Sequence, residues 1–256
     1  MTAIRPRRSA LYMPGSNARA LEKAKSLPSD AVILDLEDAV APDAKEAARA
    51  QVCAAALAGG FGSREVVIRI NALTTPWGED DLAAAADARP DAILVPKVSS
   101  PDMLAMVGRR LAAQKADQQI RVWAMIETPA AILNIRDIAD AADDAITRLS
   151  CFVMGTNDLA KETRARFTHN RDATAGQCQH LRRKCSQRLE QSKHILRHVV
   201  DVIVQQSLSG HASTYRRFID PLPAGQMHAR HSMQWHGAQQ RIGSAAEVER
   251  IGVEVM

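Results

Sequence analysis

Six short apolar runs, each closed by a polar cluster and followed by a helical stretch, most constrain what this chain can fold into. They are "SALYM" (9–13), "AVILDL" (31–36), "EVVIRI" (65–70), "AILVPK" (92–97), "RVWAMIE" (121–127) and "SCFVMG" (150–155). Their starts lie about 22 to 34 residues apart, the pitch of repeated βα units. Between them run helix-forming segments such as "NARALEKAKSL" (17–27), "AKEAARAQVCAAALA" (44–58) and "ILNIRDIADA" (132–141). Ser16 or Asn17 is the expected cap of the first helix, because a short polar side chain there satisfies the open N–H groups of a helix start. Strands that are apolar on both faces belong to a parallel sheet covered by helices.

Two architectures satisfy this pattern: an open doubly wound sheet, and an eight-stranded barrel. No G-x-G-x-x-G follows the first strand, and "PGSNA" (14–18) and "GGFG" (59–62) read as turn and helix-start chemistry. Polar clusters end nearly every strand, which is where barrel active sites are built. The expected fold is therefore α/β, a TIM-type (β/α)8 barrel, of which about six βα units are recognisable. A chain of 256 residues is the usual size for one such barrel.

The chain has two compositions. Residues 1–168 hold 21 Lys and Arg against 22 Asp and Glu, whereas residues 169–256 hold 12 against 7. All eight histidines and ten of the fourteen glutamines lie in that second part. The expected division is a barrel domain over 1–168, carrying strands one to six, and an atypical C-terminal region over 169–256. Within the latter, "LEQSKHILRHVVDVIVQQSL" has room for one more helix and strand; beyond it neither a 3.6 nor a 2 period can be counted. A six-stranded piece alone would leave two sheet edges and an apolar floor open to water, with aggregation the expected result.

Several function classes drop out. No apolar run approaches the roughly 20 residues that span a bilayer, and the basic start "MTAIRPRRSALYMPG" has no apolar stretch of signal length behind it. A soluble, cytoplasmic protein with no membrane partner is expected. Cys53, Cys151, Cys178 and Cys185 contain no C-x-x-C pair; the first two sit in apolar segments and read as core. Cys178, His180 and Cys185 match no standard zinc spacing, and His194 with His198 lacks the glutamate of a metalloprotease helix. The basic surplus of the tail lacks interleaved aromatics, so no nucleic acid is expected.

The strand ends carry the chemistry. They supply Asp35, Glu37 and Asp38, then Arg69 with Asn71, then Lys97, Glu127 and Asp158, and a barrel would bring these to one mouth. Glu127 and Asp158 are the natural carboxylate pair for Mg²⁺, which keeps waters and takes substrate oxygens. Arg69 would set a fixed positive charge beside a carboxylate or enolate oxygen. Glu37 and Asp38 are placed to face the mouth, and Asp35 to act as a scaffold acid. Each has a plain alternative: Arg69 as an ion-pair partner for Asp35 or Glu37, Glu127 and Asp158 as helix caps, Lys97 as the partner of a neighbouring acid.

The segments "RSALYMPG", "DAVILDLEDAVAPDAKEAAR", "VVIRIN", "DAILVPKV", "MIETPAAILN" and "VMGTNDLAKE" resemble, in order and near spacing, the citrate lyase β-subunit-like group of the HpcH/HpaI aldolase/citrate lyase superfamily, which includes malyl-CoA and citramalyl-CoA lyases. The resemblance covers residues 8–166. It implies a (β/α)8 barrel that binds Mg²⁺ through Glu127 and Asp158. It implies that Arg69 contacts the substrate, with the catalytic Glu37 and Asp38 beside the metal waters and the substrate; Lys97, from its own strand end, is a candidate substrate-binding residue. The implied reaction is carbon–carbon cleavage of a 3-hydroxyacyl thioester, on CoA or an acyl carrier, in a homo-oligomer of three or more chains. Hydrolysis of the thioester on the same fold, or a non-catalytic remnant, are the alternatives.

From 169 to about 240 the resemblance stops: the last two barrel strands, a "GK..IHP"-type stretch and a lid aspartate find no counterpart, while "SAAEVER" (244–250) again is similar to the family's last helix. A shifted reading frame between about 167 and 241 is the expectation this raises. Strand-like runs in another frame of the coding DNA would bear it out, and their absence would remove it.

Overall fold

The computed structural model describes residue 7, residues 9–165 and the backbone of 201–205. Its strands are β1 (Ala10–Pro14), β2 (Ala31–Asp35), β3 (Glu65–Arg69), β4 (Ala92–Val95), β5 (Arg121–Ile126), β6 (Leu149–Gly155) and β7 (Asp201–Gln205). They form one parallel sheet in sequential order, β1 to β7, and the sheet curls as part of a barrel. Helices α1 (Ala18–Ala24), α2 (Lys45–Ala58), α3 (Gly78–Asp87), α4 (Pro101–Ala113), α5 (Pro129–Leu133), α6 (Ile135–Asp140) and α7 (Thr156–Glu162) alternate with the strands. None among the described residues is long and apolar enough to cross a membrane.

The six expected strands are all present, with ends shifted by one or two residues. The tail contributes β7, "DVIVQ", which pairs with β6 from Cys151↔Asp201 to Gly155↔Gln205 and so covers an edge that six strands would have left open. The other tail residues singled out above (His194, His198, Cys178, His180, Cys185 and 244–250) lie outside the described residues. One helix differs from expectation. The run 132–141 is broken into α5 and α6 at Asn134, whose side-chain amide donates to the Ser99 carbonyl at 2.9 Å. Asn17, rather than Ser16, caps α1 by accepting from Ala20 N–H at 3.0 Å.

The strands are buried on both faces, for two reasons. One face carries Val32, Leu34, Ile68, Ile93, Ala124 and Phe152, packed under helix residues such as Leu21, Val52, Leu82 and Leu104. The other carries Ile33, Val67, Leu94, Trp123, Met125 and Val153, a cluster built from strand residues alone. Side chains with no described helix over them are dry because the curled strands close on one another. Cys151 belongs to that inner cluster, and Cys53 packs on the helix side.

The alternation positions the site. Side chains two apart point to the same face, so the inner series Ala31, Ile33 leads to Asp35, Val67 to Arg69, Trp123 and Met125 to Glu127, and Cys151 and Val153 to Gly155. Four inner-face positions thus arrive at the C-terminal ends of β2, β3, β5 and β6.

Candidate active site

Asp35 and Arg69 are register partners across β2 and β3, each only 1% exposed. The guanidinium binds the carboxylate through both edges: Nε donates to Oδ1 at 2.6 Å, and Nη2 donates to Oδ2. Asp35 also accepts from the backbone N–H of Glu37 (2.8 Å) and of Ala39 (3.2 Å). This one acid therefore folds the "DLED" loop over the strand end. Glu37 and Asp38 are turned to the same guanidinium. Arg69 Nη1 donates to Asp38 Oδ2 at 3.1 Å and lies 2.9 Å from Glu37 Oε2, at an angle that makes no hydrogen bond. The Tyr12 ring lies under the guanidinium, 5.1 Å from its carbon.

Burial dominates the Glu37 carboxyl. It pushes the pKa up to about 8 against the attraction of Arg69, and the neighbouring charges of Asp38, Glu127 and Asp35 push the same way. Glu37 accordingly holds its proton at neutral pH.

The second half of the site stands on β4, β5 and β6. Glu127 follows β5, is 1% exposed, and accepts from the Lys97 backbone N–H at 2.8 Å. Its carboxylate rests against Gly155, where a Cβ would come within 2.5 Å of Glu127 Oε2. Only glycine leaves that space. Asp158 sits in the first turn of α7 and is hydrogen bonded to the Lys97 ammonium, which also lies 3.6 Å from Glu127 Oε1. Neither acid caps a helix: Thr128 Oγ1 caps α5, accepting from Ala131 N–H at 3.0 Å. Burial raises the Glu127 pKa, while Lys97 draws it back.

Strict alternation after Ala92 and Leu94 would send Lys97 to the helix face. Instead its backbone is left-handed, with φ 56°, a region a non-glycine residue adopts at a cost that its surroundings must cover. That turn aims both its N–H and its ammonium at the two acids. Its carbonyl accepts from Ser99 Oγ at 3.1 Å, and Ser99 is hydrogen bonded to Thr128. Burial works against the Lys97 charge, but the Asp158 hydrogen bond and the Glu127 charge outweigh it and raise its pKa.

All seven charged strand-end candidates are therefore at one mouth, gathered around two cations. The pairings that stood as plain alternatives are present: Arg69 with Asp35, Glu37 and Asp38, and Lys97 with Glu127 and Asp158. Among the described residues no three His, Cys, Asp or Glu side chains gather as a metal cluster. Two carboxylates that converge on one point charge can nevertheless hold a hard divalent cation whose other positions are water and substrate oxygens.

Lys45 was not singled out from the sequence. It is 6% exposed, and its ammonium donates to the carbonyls of Leu36 (2.8 Å) and Glu37 (2.6 Å) and to Asn71 Oδ1 (2.8 Å). Asn71 in turn donates to Leu36 O and to buried Asp81. The acid loop is thus held by Asp35 through its N–H groups and by Lys45 through its carbonyls. The signal was a lysine on the buried stripe of α2, in helical phase with Ala48 and Val52.

The model of one known protein family, HpcH/HpaI aldolase/citrate lyase, matches residues 8–193. The chain belongs to that family. A (3S)-malyl-CoA thioesterase from Cereibacter sphaeroides is 45% identical over 166 residues, which are 65% of this chain and 54% of the relative. A malyl-CoA/β-methylmalyl-CoA/citramalyl-CoA lyase from Chloroflexus aurantiacus is 36% identical over 168 residues, 61% of this chain and 47% of the relative. The chain thus spans about half the length of the curated relatives it matches. Among solved structures, the citrate lyase β subunit complexed with oxaloacetate and magnesium from Mycobacterium tuberculosis superposes with a TM-score of 0.55 at 27% identity, covering 70% of this chain and 74% of that one.

Proposed function

We propose that the chain is a Mg²⁺-dependent carbon–carbon lyase that cleaves a 3-hydroxyacyl thioester of the malyl, citramalyl or citryl type into an acetyl thioester and a 2-oxo acid. The observation that carries the reading is the convergence of Glu127 and Asp158 on one cation beside the Arg69 acid cluster. The magnesium named for the Mycobacterium tuberculosis neighbour supports that cation as Mg²⁺. When bound, Mg²⁺ supplies Lewis-acid charge to the oxygens of the oxo-acid half.

The remaining roles belong to the chain's own side chains. Glu127 and Asp158 hold the cation. Lys97 adds positive charge for the substrate's carboxylate at the same edge. Arg69 fixes the acid cluster and sets its charge against the negative charge that develops when the C2–C3 bond breaks. The exposed Asp38 carboxylate accepts the 3-hydroxyl proton, the O–H electrons form the new carbonyl, and the C2–C3 pair becomes the thioester enolate. A proton returned at C2 completes the acetyl thioester. Glu37, protonated at neutral pH, is the group at the mouth able to give it, with exposed Asp38 beside it.

A second reading, hydrolysis of the same thioester, is favoured by the thioesterases among the relatives. The two separate on products. Incubated with malyl-CoA and Mg²⁺, the lyase yields glyoxylate and acetyl-CoA. Appearance of free CoA and malate instead selects the hydrolase, and neither product pair would contradict both.

A further inference from the structure

We infer that the Lys97 ammonium is the resident cation of the Glu127–Asp158 pair in the metal-free protein, and that a divalent cation enters by displacing it, releasing the ammonium as an anion-binding group at the mouth. This rests on the reading of Glu127 and Asp158 as the metal ligands.

Glu127 is 1% exposed, and a buried carboxylate without a positive partner is strongly unfavourable. Its charged form therefore needs a cation beside it; without one, burial favours the protonated acid. In the structure the cation beside it is Lys97, bonded to Asp158 and 3.6 Å from Glu127 Oε1. An ammonium and a divalent ion repel each other and compete for the same oxygens, so the pair holds one or the other.

The way Lys97 is anchored makes the exchange local. Its N–H is held by Glu127 at 2.8 Å and its carbonyl by Ser99 at 3.1 Å, independently of the ammonium. Only the four-carbon stem has to swing, and that side chain is 36% exposed, with water available to receive it. Arg69 offers the contrast. At 1% exposure, with both edges on Asp35, it has no such exit.

The exchange has a consequence for the order of binding. While Lys97 is the pair's one cation, two carboxylates against one ammonium leave net negative charge at this edge, which repels an anion. After exchange, a divalent cation and a freed ammonium stand within one lysine stem of each other, a site suited to a carboxylate. Divalent cation and anionic ligand then bind with positive coupling, each raising the other's affinity by the same factor.

The test uses the full chain and needs no turnover. Mg²⁺ binding is measured by calorimetry, and lysines are then labelled with an amine-selective acylating reagent with and without saturating Mg²⁺, each site being read by peptide mass spectrometry. Labelling of Lys97 should rise severalfold in Mg²⁺, while exposed Lys115 stays constant. In addition, Lys97→Met should bind Mg²⁺ about tenfold more tightly, because the competent state is no longer a minor one. Mg²⁺ binding with unchanged Lys97 labelling, or weaker binding by Lys97→Met, overturns the exchange and leaves the ligand pair standing. No Mg²⁺ binding by the unaltered chain overturns both.

Discussion

The two halves of the mouth solve the same problem differently. On β2 and β3, three carboxylates gather around a guanidinium that is buried and clamped through both edges. On β4, β5 and β6, two carboxylates share a half-exposed ammonium on a flexible stem. Arginine's planar fork matches a carboxylate in two bonds and stays charged at any accessible pH, whereas lysine is a compact charge that leaves easily. The first half is a lock built with the fold, and the second is a seat whose cation can be changed.

The largest expected effect breaks the lock. Arg69→Leu leaves Asp35 buried without its partner, and removing one member of a buried pair costs about 3–5 kcal/mol. Urea unfolding should show that loss with or without Mg²⁺; a loss below about 1 kcal/mol would mean that the lock contributes little.

Gly155→Ala tests the seat from behind. The added methyl must push the Glu127 carboxylate out of place, so Mg²⁺ affinity should fall roughly 10- to 100-fold and stability by about 1–3 kcal/mol. Unchanged affinity on titration would show that Glu127 does not need its backing on β6.

The pH response separates the halves further. Glu37 in the folded protein titrates near 8 instead of 4.5, so the native state binds the extra proton between those values. Its contribution is fully present below pH 4.5, declines as the pH rises, and is lost above about 8. Melting temperatures of metal-free protein should therefore fall across that window, and Glu37→Gln should flatten the fall. Identical slopes for the two chains would contradict the burial assigned to Glu37. The smallest effect belongs to Asp38, whose side chain is 49% exposed. Asp38→Asn should cost under about 1 kcal/mol, and a larger loss on urea unfolding would show that the rim of the lock is less solvated than its exposure indicates.

Much of this was legible from spacing alone. Apolar runs about 22 to 34 residues apart located six strands; period-2 alternation carries Asp35, Arg69 and Glu127 to their ends, and Glu37, Asp38 and Asp158 follow in the loop or helix turn just beyond. What alternation could not show is where it stops. Lys97 is on the wrong parity and reaches the site through a left-handed backbone, which no pattern of residue types announces. Lys45 acts from a helix face that reads as simple packing, and Gly155 acts through the side chain it lacks. Motif order also identified the family, yet it does not separate lyase from hydrolase. Both activities occur among relatives of which the chain spans about half.

The most direct test of the account is a calorimetric Mg²⁺ titration of the unaltered chain beside Glu127→Ala/Asp158→Ala. The account predicts one site per chain, lost in the double variant while the fold, held by the Asp35–Arg69 lock, keeps its circular dichroism. Equal Mg²⁺ affinity in the two proteins would contradict it.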